Sequence, residues 1–212
     1  MFTLQHNHPL IHCTTFALPA TAAHYVELTD SADLPALCQL PEYSRQTVCW
    51  LGGGSNTLFT RDYPALVVHI ATRGIRQTHR ADGIVHIEAQ AGEMLHDFIQ
   101  HTLALGLSGL ENLSLIPGTV GACPVQNVGA YGVEVKDRIV SVQCFDLETQ
   151  KFVTLANSEC QFGYRESLFK QQGKRRYVIT AVTFALDETF TPKIQYGDLA
   201  ATLAAQYGSQ AP

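Results

Sequence analysis

Residues 111–132, ENLSLIPGTVGACPVQNVGAYG, constrain this chain more than any other stretch. They set Gly118, Gly121, Gly129 and Gly132, with Pro117 and Pro124, among small side chains and a single charge at Glu111. Glycine permits positive φ and close approach of another group, and the N–H groups freed in such turns donate to anions. Backbone this bare reads as tightly folded around a guest and not as a solvated linker. A phosphate is the guest that neutral N–H donors suit best.

A second candidate for the same work precedes it. Residues 47–51 (TVCWL) form an apolar run that breaks off into Gly52, Gly53, Gly54, Ser55 and Asn56. A buried strand ending in a glycine turn presents N–H groups at its carboxyl end, where nucleotides are often held. Ser55 and Asn56 add side-chain donors. The turn is not a Walker loop, since no Gly-Lys-Ser/Thr follows. Nor is it a dinucleotide fingerprint, since Thr57 stands in the third glycine's place. Taken alone, a plain tight turn explains it equally well.

The surroundings narrow the class. A chain of 212 residues with 46% hydrophobic and 16% charged residues can bury one good core or two small ones. A net charge of −5 argues against sequence-independent nucleic-acid binding, which needs clustered Lys and Arg. Lys174, Arg175 and Arg176 form the one basic knot, read as a solvated face. No apolar run reaches membrane-spanning length and the first residues lack signal-peptide order, so a cytoplasmic location is the default expectation. The six cysteines include no CxxC pair, which signals reduced, mostly buried thiols and no zinc site. His6, His8 and His12 read as incidental histidines on a mobile terminus, and His96 and His101, five apart, as surface residues.

Periodicity places strands over residues 23–28, 47–51, 65–70, 140–144, 151–155 and 178–186, and a capped helix from Asp30 or Ser31 through about Leu40. Asp82-Gly83 suits a type I′ turn between strands 75–81 and 84–89. Leu95, Phe98, Ile99, Thr102 and Leu103 recur at helical spacing until Gly106. The sum is an α+β fold of two lobes, residues 1–70 and 71–190. An apolar helix then starts in residues 191–212, which are expected to begin a further, truncated domain.

Four motifs stand in order along this frame: LGGGSNTLF at 51–59, GLENLSLIPGTVGACPVQNVGAYG at 109–132, FGYRESLFK at 162–170 and YGDL at 196–199. Together they resemble the N-terminal FAD-binding part of the UDP-N-acetylenolpyruvoylglucosamine reductase family (MurB type), within the wider FAD-binding fold of the vanillyl-alcohol oxidase (PCMH) type. The resemblance implies non-covalent FAD, with NADPH as hydride donor. The implied reaction is reduction of UDP-N-acetylglucosamine enolpyruvate to UDP-N-acetylmuramate, a step of peptidoglycan precursor synthesis. It implies that Gly52, Gly53, Gly54, Ser55 and Asn56, with the turn at Pro117, Gly118, Gly121 and Ala122, hold the FAD diphosphate. Gln126, Asn127, Gly129, Ala130 and Tyr131 would border the flavin ring. Arg165 matches the family's active-site arginine, although the residues alone equally allow a surface ion pair with Glu159 or Glu166. Tyr196 and, less directly, Tyr164 would meet the nucleotide-sugar substrate.

The chain departs from the family where Thr14-Thr15-Phe16-Ala17 stands for the usual Asn-Thr-Phe-Gly. The family's proton-donating serine and second catalytic glutamate belong to a later substrate domain and match no residue here. Two other classes stay open on sequence: a flavin-dependent oxidase of a small alcohol, and a non-catalytic nucleotide-binding module.

Overall fold

The computed structural model describes residues 1–208, so the last four residues of the expected third segment lie outside the described residues. Two sheets carry the fold. The first runs in the order β1 (Gln5–Pro9), β2 (Thr21–Leu28), β4 (Tyr63–Ile70), β3 (Cys49–Leu51). β1 is antiparallel to β2, whereas β2, β4 and β3 are mutually parallel.

The second sheet is antiparallel throughout. Its order is β10 (Lys151–Ala156), β9 (Ile139–Asp146), β11 (Tyr177–Asp187), β6 (Ile84–Gln90), β5 (Ile75–Ala81). Asp82 and Gly83 both take positive φ, +54° and +77°, as the type I′ turn between β5 and β6 demands.

Helix α2 (Leu95–Ala104) turns Leu95, Phe98, Ile99 and Thr102 inward, and Gly106 at φ +74° ends it. Phe98 meets Phe184 of β11 at a ring-centroid distance of 5.0 Å. Burying one such aromatic side chain contributes about 1.5–3 kcal/mol. A second apolar cluster joins the sheets: Val26, Leu28 and Val68 of the first pack with Phe145, Leu147 and Val178 from the second. A third lies on the opposite face of the first sheet, around Leu10, Tyr25 and Leu51.

Two expectations are corrected here. The terminus is not mobile. Residues 5–9 form β1, with the His6 and His24 Nδ1 atoms 3.1 Å apart across the pair and the His8 ring stacked 3.8 Å from Tyr25. These rings supply the contact area that apolar side chains would normally give. The helix foreseen to Leu40 shrinks to a 3-10 turn, Ser31–Asp33, capped by the Asp30 carboxylate, and one α turn, α1 (Leu34–Leu37). Pro35 is tolerated there because its missing N–H falls in the first turn.

The basic knot is likewise structural in part. Arg176 donates to the buried Asp146 carboxylate at 2.8 Å and lies 5.0 Å over the Tyr177 ring. α3 (Leu199–Tyr207) buries none of its residues.

Candidate functional site

The strand β3 delivers the first glycine turn to the seam between the sheets, and the segment just beyond β6 holds the second. β11 shifts register against β9 between Ile179 and Ala181. On its other side β11 keeps its register with β6, and one step beyond Gln90 the Thr180 carbonyl accepts the Ala91 N–H at 2.9 Å. The Ala91 carbonyl then accepts Gly121 N–H at 2.9 Å, and the Glu93 carbonyl accepts Val120 N–H at 2.8 Å. A side chain at Gly121 would stand 2.5 Å from the Ala91 Cβ, so only glycine permits this contact.

The two turns face each other closely. A Cβ on Gly52 would come within 2.8 Å of Thr119 Oγ1, and one on Gly118 within 3.5 Å of Ser55 Oγ. Gly54, at φ +64°, lies so close to the preceding loop that a Cβ would fall 2.0 Å from the Cys13 carbonyl oxygen. Gly52, Gly53, Gly54, Ser55, Asn56, Pro117, Gly118, Ala122 and Gln126 all line one cavity of about 300 Å³.

Among the described residues, the N–H groups of Gly53, Gly54, Ser55 and Asn56 donate to no protein acceptor, and neither do those of Gly118 and Thr119. This is a neutral double cradle of unspent donors, and the oxygens of a diphosphate match it. One cation joins the wall. Lys170 reaches the cavity while its Nζ donates to the Arg165 carbonyl at 2.9 Å and pairs with Glu166 at 3.1 Å. Sequence reasoning passed over Lys170, although it stands inside FGYRESLFK.

Three expected contacts change role. Gly121 and Ala122 spend their N–H groups on Ala91 and Thr119, so they shape the turn and do not donate to a guest. Asn127 is fully buried; its Nδ2 donates to the Gly163 carbonyl at 2.9 Å and its Oδ1 accepts Lys136 N–H at 3.1 Å. Its side chain therefore ties the glycine loop to the FGYR segment instead of edging a ring. His96 is not a plain surface residue: its Nδ1 lies 2.9 Å from Ser114 Oγ and accepts the Leu115 N–H at 3.2 Å, holding the loop's first turn.

A neighbouring cavity of about 390 Å³ collects Gly129, Ala130, Tyr131, Tyr164, Arg165 and Tyr196, with Glu134 on its wall. The short ladder of β7 (Gly129–Ala130) and β8 (Val133–Glu134) forms its floor. Arg165 holds a left-handed backbone, φ +56°, and its Nη2 donates to the Gly129 carbonyl at 2.8 Å. The ion-pair alternative fails. Glu166 is engaged by Gln171 and Lys170, and Glu159 caps the Ala156 N–H at 2.8 Å.

The contact with Lys136, and more weakly the Arg165 guanidinium, hold the Glu134 carboxyl below its ordinary range. Tyr131 and Tyr196 meet edge to face at 6.0 Å. Asn112, unremarked in the sequence, bridges the Tyr131 and Lys193 carbonyls at 3.0 and 2.8 Å and so brings the two tyrosine segments together. Among the described residues no cluster of His, Cys, Asp and Glu could hold a metal ion, and all six cysteines are free thiols.

Fold and cradle together define the class, a two-lobed α+β module whose facing glycine turns suit a nucleotide diphosphate. A family model described as FAD binding domain matches residues 22–156, and the chain belongs to that family of flavoprotein modules. Its curated relatives narrow the kind. The UDP-N-acetylenolpyruvoylglucosamine reductase of Neisseria gonorrhoeae is 63% identical over 190 residues, covering 90% of this chain and 55% of that protein. The enzyme of that name from Chromobacterium violaceum is 53% identical over 192 residues, covering 90% of this chain and 56% of the relative. The chain thus spans about half the length of the curated relatives it matches.

Among solved structures, the reductase of that type from Thermus caldophilus superposes with a TM-score of 0.66 at 26% identity, over 91% of this chain and 64% of the other. A cholesterol oxidase from Brevibacterium sterolicum, with a TM-score of 0.60 at 9% identity over 88% of this chain and 38% of the other, shares the fold alone. No helix among the described residues is long and apolar enough to cross a membrane.

Proposed function

We propose that this chain is the FAD-binding portion of a cytoplasmic, NADPH-dependent reductase that converts UDP-N-acetylglucosamine enolpyruvate to UDP-N-acetylmuramate for peptidoglycan synthesis. The observation that carries the reading is Arg165. Its guanidinium is tethered to the Gly129 carbonyl at 2.8 Å and lines the same cavity as Tyr131, Tyr164 and Tyr196, while Glu159 and Glu166 are engaged elsewhere.

Each group has a physical task. The N–H groups of Gly53, Gly54, Ser55, Asn56, Gly118 and Thr119 hold the diphosphate of FAD, and Lys170 adds a positive charge at the edge. Bound FAD supplies the relay by which hydride from NADPH reaches the enolpyruvyl double bond. Arg165 holds the substrate carboxylate and stabilises the negative charge that builds toward it, more strongly as the charge develops. Tyr131, Tyr164 and Tyr196 offer aromatic faces to the sugar and uracil portions. Gly129, Ala130 and Tyr131, with Gln126 on the adjoining cavity, border the ring end of the cofactor.

The test is a half-reaction. The purified chain is reconstituted with FAD, reduced without oxygen, and mixed with the enolpyruvyl nucleotide sugar while the visible spectrum is followed. Return of the oxidised flavin bands is expected, with Arg165→Ala slowing it by roughly 10²–10³-fold. Absence of any flavin band after reconstitution would sink the reading. Bands that appear but ignore the substrate would leave the FAD reading standing and mean that this chain lacks its catalytic partner domain or uses another acceptor.

A further inference from the structure

Trp50 is the chain's single tryptophan. It sits in β3 two residues before Gly52, on the face of the strand that the glycine turn continues. That face looks across to the second sheet, where Trp50 packs with the cluster of Phe145 and Val178, while Leu51 points the other way. The indole is a wall common to two spaces. One is the cavity of the glycine turns; the other is an apolar compartment of about 150 Å³ formed with Ile70, Phe169, Tyr177, Val178 and Ile179. Gly52, Thr119, Ala122 and Val125 also border both, so the two spaces adjoin.

The indole Nε1 is fully buried and has no hydrogen-bond partner; among the described residues only Glu42 Oε2 shares that condition. An indole N–H can only donate, and leaving a buried donor unmade is costly when a phenyl ring of similar shape would avoid the penalty. A tryptophan held this way beside a cavity points to a partner that binding delivers.

We infer that Trp50 is a cofactor-binding residue that lies against the adenosine half of FAD and donates its Nε1–H to an acceptor there. The assignment rests on the flavin reading above. It picks the adenosine half because Trp50's compartment shares lining residues with the glycine-turn cavity and none with the Arg165 cavity, and because a flat purine suits apolar walls.

The experiment titrates the chain and its Trp50→Phe variant with FAD and with riboflavin 5′-phosphate by calorimetry, and melts both proteins without ligand. The variant should bind FAD roughly 10-fold more weakly, as loss of one hydrogen bond implies. Its affinity for riboflavin 5′-phosphate, which lacks the adenosine half, should be unchanged. Its unliganded melting temperature should be equal or higher, because phenylalanine carries no stranded donor. Equal FAD affinity in the two proteins overturns the assignment. So does a parallel loss for both flavins with a lower melting temperature, which marks Trp50 as packing only. Failure of the parent chain to bind FAD at all overturns the flavin reading, and this assignment with it.

Discussion

Ala17 sits at φ +49°, its N–H donating to the Thr14 carbonyl at 3.2 Å, in the loop whose Thr15 N–H reaches Gly54 at 3.3 Å. Left-handed backbone costs an alanine roughly 1–2 kcal/mol, partly offset by the extra freedom glycine has in the unfolded chain. Ala17→Gly should therefore raise stability by about 0.5–1 kcal/mol, read from urea unfolding midpoints at unchanged slope. Gly54 presents the opposite case. Gly54→Ala forces a Cβ onto the Cys13 carbonyl and should cost at least about 3 kcal/mol, whereas Gly83→Ala, with open space around it, should cost about 1 kcal/mol. Paired denaturation curves would separate the two, and near-equal losses would refute the steric account. The sequence made the glycines legible and left their division of labour hidden. Gly53 and Gly54 keep free N–H groups, Gly121 is spent on Ala91, and nothing local distinguishes them, because their partners come from distant segments.

At the level of elements, strands with apolar alternation and hairpins with a diagnostic turn could be read directly, as β5, β6, β9 and β10 illustrate. β1 could not, since its contacts are histidine rings whose value appears only once Tyr25 and His24 stand opposite. The part Asn127 plays is hidden for a related reason: a buried amide that knots two loops looks, in one dimension, like any other polar residue. The end of β9 carries a pH prediction. Arg176 holds the Asp146 carboxyl below its ordinary range, aided by the Glu148 N–H, while burial opposes this. A carboxyl depressed in the folded state adds stability that is full above its unfolded pKa of about 3.9 and disappears as pH falls through the lower folded value. Stability should thus drop below about pH 4 more steeply in the parent chain than in Asp146→Asn. At pH 7 that variant should be modestly weaker, since Arg176 is part exposed and keeps Glu148 at 3.3 Å. Equal acid slopes in the two proteins would refute the linkage.

Across the whole molecule, Trp50 and Ile70 of the first sheet and Tyr177, Val178 and Ile179 of the second line one compartment that adjoins the glycine-turn cavity, so a dinucleotide reaching into it would touch both sheets. FAD at about 100 times its dissociation constant should add about 2.7 kcal/mol, or roughly 5–10 °C in melting temperature for a chain of this size. A scan showing no shift at that concentration would mean that the folded chain does not hold FAD. The pairing of β11 with β6 carries a further meaning. Because Thr180 of β11 anchors Ala91, one step past the end of β6, and Ala91 anchors Gly121, the cofactor loop has no address until those two strands have paired in register. A one-residue slip would displace that anchor by about 3.3 Å, a full side-chain position. Flavin capture on refolding should therefore count correctly registered molecules, and the yellow colour of a preparation would report its strand pairing as well as its cofactor content.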